Sequence, residues 1–193
     1  MKIQAEISIE GTKPLLINTF PMDALSSSKS KSGTTGNDSS GWKNTVLMTP
    51  ERELYIYNSY LVGSIVGGGK QIKVGKATLS KKVGSTLEIE EAHLMLGLYV
   101  PEDDSILVNK IDELVYLDMR SVVNPMTKGR NVRYRIACKP GWQVSTTLLW
   151  DNRVISPEDM KACVENAGLF DGIGDGRKIG FGRFKLLSFS VKK

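Results

Sequence analysis

The residues best suited to chemistry are cations set among glycines. Gly172, Gly174, Gly176, Gly180 and Gly182 fall within the run Gly172-Ile173-Gly174-Asp175-Gly176-Arg177-Lys178-Ile179-Gly180-Phe181-Gly182-Arg183-Phe184. Glycine admits positive φ and lets another backbone come close. Arg177, Lys178 and Arg183 in the same stretch carry the charge and the donors that suit phosphate. Two readings stay open here: a loop that presents cations to an anion, or a tight connection whose glycines serve packing. The spacing is not that of a dinucleotide site, since G-x-G-x-x-G would need glycine at 177 or 179, where Arg177 and Ile179 stand. Gly68-Gly69-Lys70 fails as a P-loop, with Ser64 at the first glycine position and Gln71 after the lysine.

Two further groups of cations contain no acid. One is Lys70, Lys73, Lys76, Lys81 and Lys82; the other is Lys128, Arg130, Arg133, Arg135 and Lys139. The acids gather elsewhere, as Glu88, Glu90 and Glu91 and as Glu102, Asp103 and Asp104. The net charge is only +5, but segregation of the signs points to a polyanionic partner. Tyr134, Trp142 and Trp150 lie on or beside the second cluster. They serve either as stacking surfaces for bases or as core; for both tryptophans core is the favoured reading. If Tyr134 faces the core, Arg133 and Arg135 face the other side and grip phosphate.

Centres for covalent or metal chemistry are poorly supported. The one histidine, His93, follows an acidic run and precedes an apolar one, and reads as a strand residue. Cys138 and Cys163 read as reduced core thiols, too few for a zinc site. Asp103-Asp104 reads as a solvated turn. No enzyme, metal or cofactor is expected. The start Met1-Lys2-Ile3 lacks a signal-peptide pattern, and no stretch approaches the ~20 apolar residues of a membrane span. The expected compartment is the cytoplasm, with no membrane partner.

These residues need a scaffold. Ile3, Ala5, Ile7 and Ile9 alternate with polar residues as in a half-buried strand, and Pro14-Leu15-Leu16-Ile17 follows as an apolar connector. Residues 23–41 are rich in Ser, Gly, Thr and Lys. They read as a mobile insertion within one domain spanning 1–193, and Lys29 and Lys31 in it are candidate nucleic-acid contacts. Glu53 to Tyr57 reads as a strand, and Asn58 or Ser59 as the cap of a helix from about Tyr60. Leu61, Val62, Ile65 and Val66 share its face, and Gly67-Gly68-Gly69 ends it. Residues 70–82 are only weakly periodic. One or two strands are expected over 88–100 and another over 114–123. Residues 130–150, turning at Lys139-Pro140-Gly141, read as a hairpin. Ser156-Pro157-Glu158-Asp159 opens a helix that Gly168 stops. In the last strand Phe184, Leu186 and Ser188 share one face and Lys185, Leu187 and Phe189 the other. The order is β-α-β-β-α-β, a ferredoxin-like α+β arrangement with extra strands around 88–108.

The Gly-rich run, entering the final strand as Gly180-Phe181-Gly182-Arg183-Phe184, resembles the signature of the RAMP superfamily, the CRISPR-associated RNA-binding proteins and their phage-encoded relatives. Glu6-Ile7-Ser8-Ile9-Glu10-Gly11-Thr12-Lys13-Pro14-Leu15-Leu16 is similar to that family's first strand and its exit. Leu54-Tyr55-Ile56 is similar to the segment entering its first helix. The resemblance implies a modified RRM fold that binds RNA or single-stranded DNA without sequence preference, commonly as head-to-tail filaments. It also implies phage or CRISPR protein partners and a homo-oligomer. The expected contacts are Lys29, Lys31, Lys70, Lys73, Lys76, Arg130, Arg133, Tyr134, Arg135, Arg177, Lys178 and Arg183, with the five glycines of the loop. The alternative is an assembly protein that joins such a particle without touching nucleic acid. A nuclease ranks last.

Overall fold

The computed structural model describes residues 1–19, 40–103, 105–106, 108–123, 126 and 128–192. Strand β1 (Lys2–Gly11) forms as its alternation predicts. Ala5, Ile7 and Ile9 point inward, each at most 2% exposed. It lies between β10 (Gln143–Asp151) and β11 (Phe184–Lys192), antiparallel to both, and β6 (Glu88–Ile89) extends the sheet beyond β10. Helix α1 (Asn58–Gly68) falls between β1 and β6, and α3 (Pro157–Asn166) between β10 and β11. That is β-α-β-β-α-β with spatial order 4-1-3-2, the ferredoxin-like fold.

The helices pack against each other over the buried side of the sheet. α1 buries Leu61, Ser64, Ile65 and Gly68, the i, i+3, i+4, i+7 pattern of one face. Gly68 ends the helix in the structure, yet its role is closeness. A Cβ there would run into the Cys163 carbonyl and the Ala167 amide of the second helix. α3 starts as expected: Ser156 Oγ accepts from the Asp159 amide at 3.1 Å, and Pro157 opens the first turn. It does not stop at Gly168. A π-turn carries the chain through Ala167–Asp171 to Gly172, and Gly168 is buried against the Phe184 backbone. A bulge between Ser8 and Ile9 on the pairing with β11 shifts the register. Phe189 therefore packs inward with Leu186 while Ser188 faces out, the reverse of strict alternation.

Three other differences change where the cations sit. The run 130–150 is not a hairpin. β9 (Arg130–Cys138) pairs with β8 (Val115–Val123) and with β2 (Leu15–Ile17), whereas β10 belongs to the main sheet. The turn after Cys138 is a passage between sheets, because both runs alternate with the same period and periodicity says nothing about partners. The expected connector at 14–17 is strand β2, fully buried. The weakly periodic stretch after α1 is a 3-10 turn (Gly69–Gln71), a short ribbon of β4 (Lys73–Val74) and β5 (Ala77–Thr78), and helix α2 (Ser80–Thr86). The remaining strands, β3 (Glu53–Tyr57) and β7 (His93–Tyr99), form a separate antiparallel ribbon. Most of the expected insertion, 23–39, with Lys29 and Lys31, lies outside the described residues. Gly41 already belongs to a 3-10 turn, Gly41–Asn44. No helix among the described residues is long and apolar enough to cross a membrane.

Candidate nucleic-acid interface

The Gly-rich loop is clamped to the start of the chain by backbone hydrogen bonds. Asp175 N–H donates to the Leu16 carbonyl at 2.9 Å, Gly182 N–H to Pro14 at 2.8 Å, and Thr12 N–H to Arg183 at 2.8 Å. All five glycines take positive φ, from 66° to 94°. Gly174 shows why: with φ at 76°, a Cβ would sit 2.5 Å from the Leu16 carbonyl oxygen. Gly174 and Gly176 thus serve packing against β2, and Gly172 and Gly182 let the two ends of the loop approach each other; a 3-10 tip, Arg177–Ile179, stands in solvent between them. The packing reading of the loop holds, and the cations of its tip face solvent.

A second clamp joins the loop to the β8–β9 hairpin. In register, Tyr116 faces Ala137, Asp118 faces Arg135 and Arg120 faces Arg133. Alternate residues share a face, so these six lie on one side. Tyr116 and Ala137 form a small core there with Leu16 and Phe181. Next along the strands, Arg135 donates to Asp118 at 3.1 Å and to Asp175 of the loop at 2.9 Å. Asp118 also accepts from Arg120 Nε at 2.7 Å, and the Arg120 guanidinium lies 4.5 Å from the Phe181 ring centroid.

Of the expected contacts, Arg133, Arg177 and Lys178 are exposed around this clamp, and Arg120, absent from the expectation, is exposed beside them. Arg177 is 3.4 Å from Asp171. The expectation of two open arginines on β9 holds for Arg133 alone. Arg135 is 5% exposed, with its guanidinium committed to two carboxylates. Tyr134 is half-buried and packs on the main core. Arg130, opposite Val123, falls on the other face of the hairpin. Lys70, Lys73 and Lys76 are exposed and lie beyond the C-terminal end of α1, outside the loop and the β8–β9 hairpin. Arg183 is half-buried beside a cavity of about 500 Å³ shared with Lys13, Leu169 and Leu186, and its Nη1 has no hydrogen-bond partner. Nothing in the one-dimensional charge pattern marks Arg120, because its neighbour Asp118 breaks the run.

Trp142 and Trp150 are core. Their indole N–H groups donate to the Lys13 and Ile155 carbonyls at 2.9 and 3.0 Å. The outward face of the main sheet carries Glu6, Ser8, Glu10, Gln143, Ser145 and Thr147. Both of these glutamates are held by lysines, Lys192 and Lys185. Lys185 and Gln143 hold the Glu10 carboxyl below its ordinary range. That face offers no aromatic ring to a base. Rings instead cluster on the β3–β7 ribbon, where Tyr55 lies 4.3 Å from His93 and Tyr57 lies 6.0 Å from Tyr60 of α1. His93 is the first residue of a strand, as expected. Among the described residues no three His, Cys, Asp or Glu side chains gather as a metal ligand set.

No family model matches the sequence, and neither does any curated protein. The fold does have a counterpart. A chain in the cryo-EM structure of the type III-B Cmr-beta bound to cognate target RNA superposes with a TM-score of 0.59 at 14% identity. The match covers 100% of this chain and 61% of that one, so this chain spans about three fifths of its counterpart. The ferredoxin-like arrangement is shared, and the likeness read from the Gly-rich run has a structural match at the level of the fold.

Proposed function

We propose that the protein binds single-stranded RNA along the surface where the Gly-rich loop meets the β8–β9 hairpin. One observation carries this reading. The buried Asp118–Arg135–Asp175 cluster ties loop to hairpin, so that Arg177 and Lys178 of one and Arg120 and Arg133 of the other stand around a common anchor. Such an array favours a chain of phosphates over any single base. The RNA held by the Cmr-beta structure supports the choice of RNA. The role assigned is that of a binding protein, not a nuclease: His93, the one histidine, is packed against Tyr55 and Tyr57.

The test is fluorescence anisotropy with a labelled single strand over a salt series. Replacing Arg177 and Lys178 together by glutamate should weaken binding to all sequences alike and flatten the salt dependence by roughly 0.7 per lost contact. Tight binding with an unchanged slope in the folded double variant would refute the assignment.

A second reading, assembly with copies of itself or with other components of such a particle, is favoured by apolar exposure. Leu169, Phe170 and Ile179 are 66%, 56% and 67% exposed around the same loop. Filament formation along a strand would combine the two readings, and light scattering with and without a long oligonucleotide separates them.

A further inference from the structure

We infer that Tyr55, Tyr57 and Tyr60 form a stacking platform for unpaired bases of a strand whose phosphates pass Arg177. This rests on the nucleic-acid reading and deepens it.

The platform follows from alternation. On β3, Leu54 and Ile56 are fully buried, which places Tyr55 and Tyr57 on the other face, where both, like Tyr60, are half-buried with part of each ring packed on the core and part open; on β7, Leu94 and Leu96 point in and His93, Met95 and Tyr99 point out. A solvent-facing ribbon is ordinarily polar, as the outer face of the main sheet is in this protein. Here four of the six tyrosines, Tyr55, Tyr57, Tyr60 and Tyr99, lie on or beside one such ribbon. The rings form a continuous row. Tyr55 and Tyr57 are 5.9 Å apart at 75°, Tyr57 and Tyr60 are 6.0 Å apart at 87°, and His93 sits against both Tyr55 and Tyr57. These edge-to-face contacts fix the rings before any ligand arrives. They also exclude sandwiching, because a base between two rings needs about 6.8 Å, twice the 3.4 Å stacking step. Bases would therefore lie on the outer faces of the row.

The position of Tyr60 supplies the link to phosphate. It lines a cleft of about 220 Å³ with Asn18, Gly63, Asp175 and Arg177, so a strand leaving the loop tip meets Tyr60 first and Tyr57 next. Burial raises the Tyr55 and Tyr60 phenols above their ordinary value, which keeps these rings neutral beside a polyanion. At the far end Glu53, which accepts from Gly97 N–H at 3.2 Å, repels phosphate and bounds the platform short of Tyr99. A protein partner could also use these half-buried tyrosines with the exposed Met95 and Tyr99; the shared cleft with Arg177 favours bases.

The experiment compares a labelled single-stranded RNA with an abasic strand of equal length, on the parent protein and on Tyr57→Ala, Tyr57→Phe and Tyr55→Ala. The parent should bind the abasic strand more weakly. Tyr57→Ala should weaken RNA binding roughly 5- to 150-fold with an unchanged salt slope, and Tyr57→Phe should bind as the parent does. An oligonucleotide carrying 2-aminopurine should be quenched by the parent and not by Tyr57→Ala. If RNA binds with its full salt slope, yet the abasic strand binds equally well, the platform is overturned and the phosphate surface stands. That comparison needs no variant, so misfolding cannot obscure it. If the parent binds no single strand at all, both ideas fall. Tyrosine variants that keep RNA affinity but lose self-association would make the row a protein interface and overturn the inference.

Discussion

Removing the Arg135 side chain should unfold the protein more readily without acting like the loss of a phosphate contact. Arg135 and Asp118 have side chains 6% and 3% exposed, and Arg135→Ala leaves that carboxylate buried. Breaking such a pair costs about 3–5 kcal/mol. The lower end applies, because Asp118 keeps Arg120 Nε at 2.7 Å. Asp175, with 35% of its side chain exposed, regains water and adds little. The parent also holds Arg135 Nε buried without a partner, which limits what the intact cluster contributes. A loss of about 3 kcal/mol in a chain of this size lowers the melting temperature by roughly 6–12 °C. Arg133→Ala, at an exposed position two residues away, should stay within about 0.5 kcal/mol of the parent and lower the salt slope by roughly 0.7. Urea melts give the first pair of numbers, and anisotropy well below the melting point gives the second. If Arg135→Ala melts with the parent and lowers the slope as much as Arg133→Ala, then Arg135 is a phosphate ligand and the clamp has been misread.

Gly174→Val should destabilise by about 3 kcal/mol or more, since positive φ and contact with the Leu16 carbonyl act together. Gly180→Ala, also at positive φ but with open space around its Cβ, should cost only about 1 kcal/mol, and calorimetry on the pair separates strain from collision. Burial pushes the Cys138 thiol up to about 12 and the Cys163 thiol up to about 11. A thiol reagent at pH 8 should therefore react with neither until the protein unfolds. Between about pH 9 and 11 stability should fall as pH rises, because the unfolded thiols ionise while the folded ones keep their protons. Rapid labelling of native protein would refute this.

Much of the scaffold was legible because it is written in local chemistry. The alternation of Ile3 to Ile9, the cap at Ser156 and the spacing of Leu61 and Ile65 each follow from contacts within a few residues. What escaped depends on partners far away. Residues 130–150 alternate cleanly, but alternation cannot say that β9 pairs with β2 and β8 while β10 pairs with β1. Hence Arg135 looked open, when its charge answers Asp118 and Asp175 from two other elements. The extra residue in β11 that turns Phe189 inward leaves no trace in composition. Cations are dense around Tyr134, Trp142 and Trp150, and of these Tyr134 was the ring expected to be open. The row of ring contacts stands at Tyr55 and Tyr57, half-buried, in a stretch whose neighbours carry little positive charge.

The bonds from Pro14 and Leu16 to the Gly-rich loop have a consequence for the order of events during synthesis. β1 and β2 are made long before their partners β11, Asp175 and Gly182, so these segments are joined by the longest loop closure in the fold. A chain still being translated can form helix α1 and the β8–β9 hairpin, whose contacts are nearer in sequence. It cannot yet gather Arg177 and Lys178 beside Arg120 and Arg133. The cationic surface is thus absent from the nascent polypeptide until Asp175 and Gly182 have been made and bound to Leu16 and Pro14.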